Sequence, residues 1–110
     1  ECIMETKKDI ADSFIIAPLV GHVGDGNFHT LLLVDPDSPE EIAVAKTLAR
    51  RMAERALAVG GTISGEHGIG LGKRDLMAAE HGEAWAVMAA IKRALDPNGI
   101  LNPGKIVPDA

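Results

Sequence analysis

The stretch Phe14-Ile15-Ile16-Ala17-Pro18-Leu19-Val20-Gly21-His22-Val23-Gly24-Asp25-Gly26-Asn27-Phe28-His29-Thr30-Leu31-Leu32-Leu33-Val34 decides how the chain folds. Two apolar runs flank a Gly-Asp-Gly-Asn break. The first, 14–23, carries Ile15, Ile16, Val20 and Val23, with Pro18 limiting regular pairing at its start. The second, 28–34, carries Leu31, Leu32, Leu33 and Val34. Such runs around a turn of glycine and Asx residues read as an antiparallel hairpin turning at Gly24–Asn27. Register then decides whether the two histidines meet. A four-residue loop sets Val23 opposite Phe28 and His22 opposite His29, on one side of the sheet and about 5 Å apart at Cβ. A three-residue loop sets His29 opposite Gly21 and sends the rings to opposite faces. The four-residue register is the one expected.

Working outward, residues 1–13 place Cys2, Ile3, Met4, Ile10 and Ala11 among charged residues, an amphipathic helix broken at Asp12-Ser13. Beyond the hairpin, Ser38-Pro39-Glu40-Glu41 is a strong helix start, with Ser38 as N-cap, Pro39 at the first position and Glu41 completing a capping box. Ile42, Ala45, Leu48/Ala49, Met52, Ala56 and Val59 recur at helical spacing, so a helix is expected from about Pro39 to Val59, closed by Gly60. Gly61–Ser64 reads as a short strand and Glu66–Gly72 as a glycine-rich loop. Helices are expected over about Lys73–Glu80, stopped by His81-Gly82, and over Glu83–Leu95, with Trp85, Met88, Ala89, Ile91 and Leu95 inward. Asp96-Pro97-Asn98-Gly99 is a turn, and residues 100–110, with Pro103, Gly104 and Pro108, form a tail without regular structure. The sum is an α+β fold, an antiparallel sheet with helices packed on one face.

With 110 residues and 46% hydrophobic content, the chain suits one folded domain with one core. No apolar run reaches the ~20 residues of a membrane span. The N-terminus lacks the basic start and apolar run of a signal peptide. The single Cys2 cannot form an internal disulfide, which fits a reducing compartment. A net charge of −5 without a basic run argues against nucleic acid as a partner, as do one Trp, two Phe and no Tyr. The first residue is Glu1, in what reads as mid-helix, so a piece of a larger protein is expected.

Three of the four histidines and eight of the twelve glycines lie in Gly21–His29 and in Gly60-Gly61-Thr62-Ile63-Ser64-Gly65-Glu66-His67-Gly68-Ile69-Gly70. These read as two halves of one site. His22 and His29 offer imidazole nitrogens and Glu66 a carboxylate, a donor set common to catalytic zinc, iron(II) and manganese sites. The alternative for the histidines is an ordinary cross-strand pair on a half-exposed sheet. His67 suits a general base, since histidine titrates near neutral pH. Its alternative is a polar loop residue, although the flanking Gly65 and Gly68 allow a ligand close to the backbone. On an extended loop Glu66 and His67 would point to opposite sides, one toward a metal and one toward substrate. Gly68–Arg74 fails both the Walker and the dinucleotide spacing. His81 reads as a helix-end residue.

Gly21–His29, then Gly65–Gly70 with Lys73, then Asp96-Pro97 and Leu101-Asn102-Pro103-Gly104-Lys105, resemble the C-terminal part of FAD-linked 2-hydroxy-acid dehydrogenases of the vanillyl-alcohol-oxidase type. That family includes D-lactate (cytochrome) dehydrogenase, the glycolate oxidase flavin subunit and D-2-hydroxyglutarate dehydrogenase. The resemblance runs from about residue 1 to 107, and Leu32–Asp37 and Ala79–Ala90 are most like the D-lactate branch. It implies that residues 1–95 are part of a ferredoxin-like cap, or substrate, domain, and that 96–110 return toward an FAD-binding domain. It places metal ligands, zinc or manganese, at His22, His29 and Glu66, the base at His67, substrate contacts at Asn27 and His67, and a flavin-side contact at Asn102.

The implied reaction is oxidation of a D-2-hydroxy acid to a 2-oxo acid, with electrons passing to a cytochrome, quinone or electron-transfer flavoprotein. The implied location is cytoplasmic or peripheral to the membrane in a bacterium and mitochondrial in a eukaryote. The family's FAD-binding domain and the first part of its cap, with the basic residues that grip the substrate carboxylate, have no counterpart in these 110 residues. The chain alone is therefore expected to bind no FAD and turn over nothing, and to self-associate through surface otherwise covered. Two rivals stand beside this reading: a stand-alone metal-binding or interaction module without redox chemistry, and a metal hydrolase with His67 as base.

Overall fold

The computed structural model describes residues 1–107, and Pro108, expected in the irregular tail, lies outside the described residues. The fold is α+β. In order, α1 spans Cys2–Ala11, β1 Leu19–Val20, β2 His29–Thr30, α2 Pro39–Ala58, α3 Met77–His81 and α4 Ala84–Leu95. Single 3-10 turns occupy Val23–Asp25 and Arg74–Leu76. The chain forms two compact units, Glu1–Gly61 and Thr62 onward.

In the first unit, β1 and β2 pair antiparallel with Leu19 opposite Thr30 and Val20 opposite His29, and a bridge joins Ile16 to Leu33. This corrects the expected register. His29 faces Val20, not His22, and the connection is Gly21–Phe28 rather than four residues. The reason is local: His22 caps the 3-10 turn at φ −98° and ψ 69°, and its carbonyl accepts from both Asp25 N (2.9 Å) and Asn27 N (3.2 Å). Gly26, at φ +76°, ends that turn in the left-handed region glycine favours. The two-residue shift keeps the alternation of faces. Ile15 is buried and Thr30 Oγ1 lies 3.8 Å from Met52 Sδ of α2, so one face packs on that helix. The opposite face leaves Ile16, Val20, Leu31 and Leu33 exposed.

Helix α2 starts as expected. Ser38 Oγ accepts from Glu41 N at 3.3 Å, a contact worth about 1 kcal/mol at an N-cap. The reciprocal half of the box is diverted: the Glu41 carboxylate accepts instead from Asp35 N at 3.2 Å. Gly60, at φ +81°, follows the helix end. Arg55 ties α2 to α1 with Nε 2.7 Å from Glu5 Oε2, Nη2 2.7 Å from Asp9 Oδ2 and Nη1 3.2 Å from the buried Thr6 Oγ1. The hydrogen bond to Asp9 above all raises the guanidinium pKa over its ordinary value.

The second unit packs Ile63, Leu76, Met77, Ala89 and Val107, with Met77 only 2% exposed. Three expectations change here. Residues 61–64 form no strand, because both backbone groups of Ile63 are taken by side chains: its N–H donates to Glu80 Oε1 (3.0 Å) and its C=O accepts from Lys73 Nζ (2.8 Å). The expected helix over Lys73–Glu80 opens as a 3-10 turn and is helical only at Met77–His81. Ile91 and Leu95 of α4 are exposed, because Lys92 turns inward to Asp96 and the Leu101 carbonyl. Buried Asp96 also accepts from Ile100 N (3.1 Å) and Leu101 N (3.0 Å). The Lys92 hydrogen bond foremost, then that from Leu101, holds its carboxyl below the usual carboxylate range.

The tail has no regular structure through Val107 but is firmly placed. Ile106 N donates to Gly70 O at 2.8 Å, Trp85 Nε1 to Ile106 O at 2.9 Å, and Arg74 Nη1 to Gly104 O at 2.7 Å. These bonds hold Ile106 at φ +64°, a conformation a β-branched residue rarely adopts. Among the described residues, no helix is long and apolar enough to cross a membrane.

Candidate functional site

The two histidine-bearing stretches fall on different units. In the first, the mouth of the hairpin is set by a close backbone approach. A Cβ on Gly21 would lie 2.5 Å from Phe28 Cα and 2.6 Å from Asn27 O, so only glycine fits there. His22 is exposed at the start of the 3-10 turn, while Asn27 and His29 are half-buried. The hairpin thus brings both histidines and Asn27 to one end of the sheet, with His29 fixed in β2.

In the second unit, Gly65–Gly68 is a four-residue turn closed by Gly68 N donating to Gly65 O at 3.1 Å, with Gly68 at φ +77°. Glu66 and His67 occupy its two central positions. The expected extended loop with opposed side chains is corrected: His67 Nε2 lies 3.9 Å from Glu66 Oε1. Both side chains are exposed, so this contact contributes little to stability, and its importance is the presentation of a carboxylate and an imidazole side by side. Asn102, at φ +43°, uses the tolerance of asparagine for the left-handed region and is exposed.

Among the described residues no three His, Cys, Asp or Glu side chains are gathered closely enough to hold a metal ion. His22 and His29 stand on one unit, Glu66 and His67 on the other. Each unit on its own thus presents donor types that divalent ions accept, imidazoles on the first and a carboxylate with an imidazole on the second. A cleft of about 480 Å³ lies elsewhere, between α1 and α2, lined by Glu5, Lys8, Asp9, Asp12, Arg51 and Arg55 among others. Its arginines are already paired, Arg51 Nη2 standing 3.1 Å from Asp9 Oδ1.

Sequence reading missed Glu80. Nothing local marks it, because its partner Ile63 lies 17 residues earlier. Its Oε2 is buried, 2.8 Å from His81 Nε2 but outside hydrogen-bond geometry.

Residues 1–106 match the family described as FAD linked oxidases, C-terminal domain. The chain is 49% identical over 105 residues to the mitochondrial D-lactate dehydrogenase [cytochrome] 1 of Saccharomyces cerevisiae, covering 94% of this chain and 18% of that protein. It is 48% identical over 108 residues to the protein named "Probable D-lactate dehydrogenase, mitochondrial" of Danio rerio, covering 97% and 22%. It is 47% identical over 90 residues to the glycolate oxidase subunit GlcD of Escherichia coli, covering 81% and 18%. The chain spans about a fifth of the length of these curated relatives. From a match over nearly its whole length, the chain belongs to the family of FAD linked oxidases, C-terminal domain.

Proposed function

We propose that this chain is the substrate-side part of an FAD-dependent dehydrogenase that oxidises a D-2-hydroxy acid such as D-lactate to its 2-oxo acid. The observation that carries the reading is the Gly65–Gly68 turn, which sets a carboxylate and an imidazole 3.9 Å apart in a chain similar over nearly all its length to D-lactate dehydrogenases. On this reading residues 1–95 belong to the cap and the residues from 96 onward lead back to the flavin-binding part.

His22, His29 and Glu66 would hold zinc or manganese. The ion, when bound, supplies Lewis acidity to the substrate's hydroxyl group. His67 takes the hydroxyl proton on Nε2. FAD, which the rest of the protein would hold, would supply the acceptor for the α-hydrogen as hydride, with a cytochrome, quinone or electron-transfer flavoprotein as the onward electron acceptor. Asn27 contacts substrate from the hairpin mouth, and Asn102 faces the flavin. The mitochondrial names of the eukaryotic relatives favour that compartment for a eukaryotic source, and a bacterial protein would be cytoplasmic or peripheral to the membrane.

The test is metal content and D-lactate oxidation in the full-length protein, wild type against His22→Ala, Glu66→Ala and His67→Gln. The first two should lose metal and turnover together, and His67→Gln should keep metal while losing about 100-fold or more in kcat. Equal metal content in all four proteins would overturn the ligand assignment.

A further inference from the structure

We propose that Lys73 and Glu80 are positioning residues for the Gly65–Gly68 turn, gripping the backbone of Ile63 from both sides so that Glu66 and His67 are presented in a fixed direction. The inference rests on the reading of those two residues as site residues. Ile63 is held three ways at once. The residue is only 6% exposed, its N–H donates to a carboxylate at 3.0 Å, and its C=O accepts from an ammonium at 2.8 Å. Hydrogen bonds with a charged partner are about twice as strong as neutral ones. The peptide groups on either side of the Ile63 Cα are thus each tied to a charged side chain, and neither can rotate without breaking its bond.

The location of this grip gives it a purpose. Ile63 stands two residues before Gly65. At the far side of the turn, Gly70 O accepts from Ile106 N at 2.8 Å. Between these two anchors run Gly65 and Gly68, whose backbones are otherwise the most permissive in any chain. Such a segment would sample many directions without fixed ends, and each residue ordered costs roughly 1–2 kcal/mol of conformational entropy. Anchoring one end on Glu80 of α3 and on Lys73, and the other on Ile106 of the tail, meets that cost in the folded unit, before any ligand binds. Glu80 suits the task because its carboxylate is almost fully buried, its side chain 9% exposed, with Oε2 against His81 Nε2. Burying a carboxylate is costly, and among the described residues Glu80 spends its one hydrogen bond, through Oε1, on the backbone leading into the turn.

The experiment uses the full-length protein with Lys73→Met, Lys73→Arg, Glu80→Gln and Glu66→Gln, with D-lactate as substrate and zinc as metal probe. Four quantities are read: kcat, KM, zinc per protein, and amide hydrogen exchange over residues 64–70. Lys73→Met should speed exchange at 64–70 selectively and lower kcat or zinc affinity by about 10–100-fold, the usual loss when the partner orienting a ligand is removed. Lys73→Arg, which keeps a donor, should recover most of that loss. Glu80→Gln keeps the size of the side chain and one acceptor oxygen, so it should give a milder loss of the same kind in a folded protein. Unchanged exchange at 64–70 in both Lys73→Met and Glu80→Gln would overturn the proposal whatever the activity. So would wild-type kcat per folded molecule in these variants while Glu66→Gln is impaired. Wild-type turnover and zinc in Glu66→Gln would instead overturn the underlying reading of the site.

Discussion

In the unit Glu1–Gly61, the loop between β1 and β2 is shaped by its own backbone. In the unit from Thr62 onward, the turn bearing Glu66 and His67 is gripped by side chains from other elements. The hairpin loop closes on the His22 carbonyl and on the contact of Gly21 with Phe28. The second loop depends on Lys73, Glu80 and Ile106. The first design is local and steric, the second distant and electrostatic. The two should therefore fail differently: one to an added methyl group, the other to a changed charge.

The sharpest test of the steric half is Gly21→Ala. The new Cβ meets backbone atoms, which cannot swing aside as a flexible side chain would. A loss of about 2 kcal/mol is expected, typical of forced overpacking, and urea denaturation of wild type and variant measures it. An unchanged midpoint would show that the hairpin mouth is looser than its geometry.

A smaller effect, and one that depends on pH, belongs to the electrostatic half. Asp96 joins α4 to the tail through Lys92 and two backbone N–H groups, and its pKa is lowered on folding. A depressed carboxylate stabilises the fold above its ordinary value of about 3.9 and loses that contribution as pH falls through the lower folded value. The melting temperature of Asp96→Asn should thus lie below wild type at neutral pH, and the gap should close in acid. A gap that persists at low pH would mean that shape rather than charge holds the tail.

The smallest expected effect is the control. Arg50 and Glu54 on α2 pair at 2.9 Å, with side chains 60% and 54% exposed. Arg50→Ala should shift stability by less than about 0.5 kcal/mol in the same urea titration. A larger shift would blur the distinction between charges that hold a backbone and charges that sit in water.

The parts of this fold legible in the sequence are those with local causes. Ser38-Pro39 and Gly60 bound α2 because capping acts within a few residues. His81-Gly82 ends α3 for the same reason. The register of the hairpin was not legible, because a 3-10 turn at Val23–Asp25 lengthens a loop whose composition suggests a tight turn. The strand expected at 61–64 has the right residue types, but Glu80 and Lys73 take the hydrogen bonds a strand would need. Ile91 and Leu95 have the right spacing for a buried stripe, yet Lys92 and Asp96 take the inward positions through an ion pair that hydrophobic periodicity cannot anticipate. The residue types of the candidate site stood out as glycine-flanked histidines. The side-by-side placement of Glu66 and His67 did not, since it follows from the turn at Gly65–Gly68 and not from their order in the chain.

The strained backbone at Ile106 has an optical consequence. Its carbonyl is held by the indole of Trp85, the one tryptophan in the chain, and its N–H reaches Gly70 beside the Glu66–His67 turn. The indole emission is therefore a built-in reporter. A red shift on adding or removing a ligand would register the unseating of the C-terminal segment, and one hydrogen bond further on, the release of the loop.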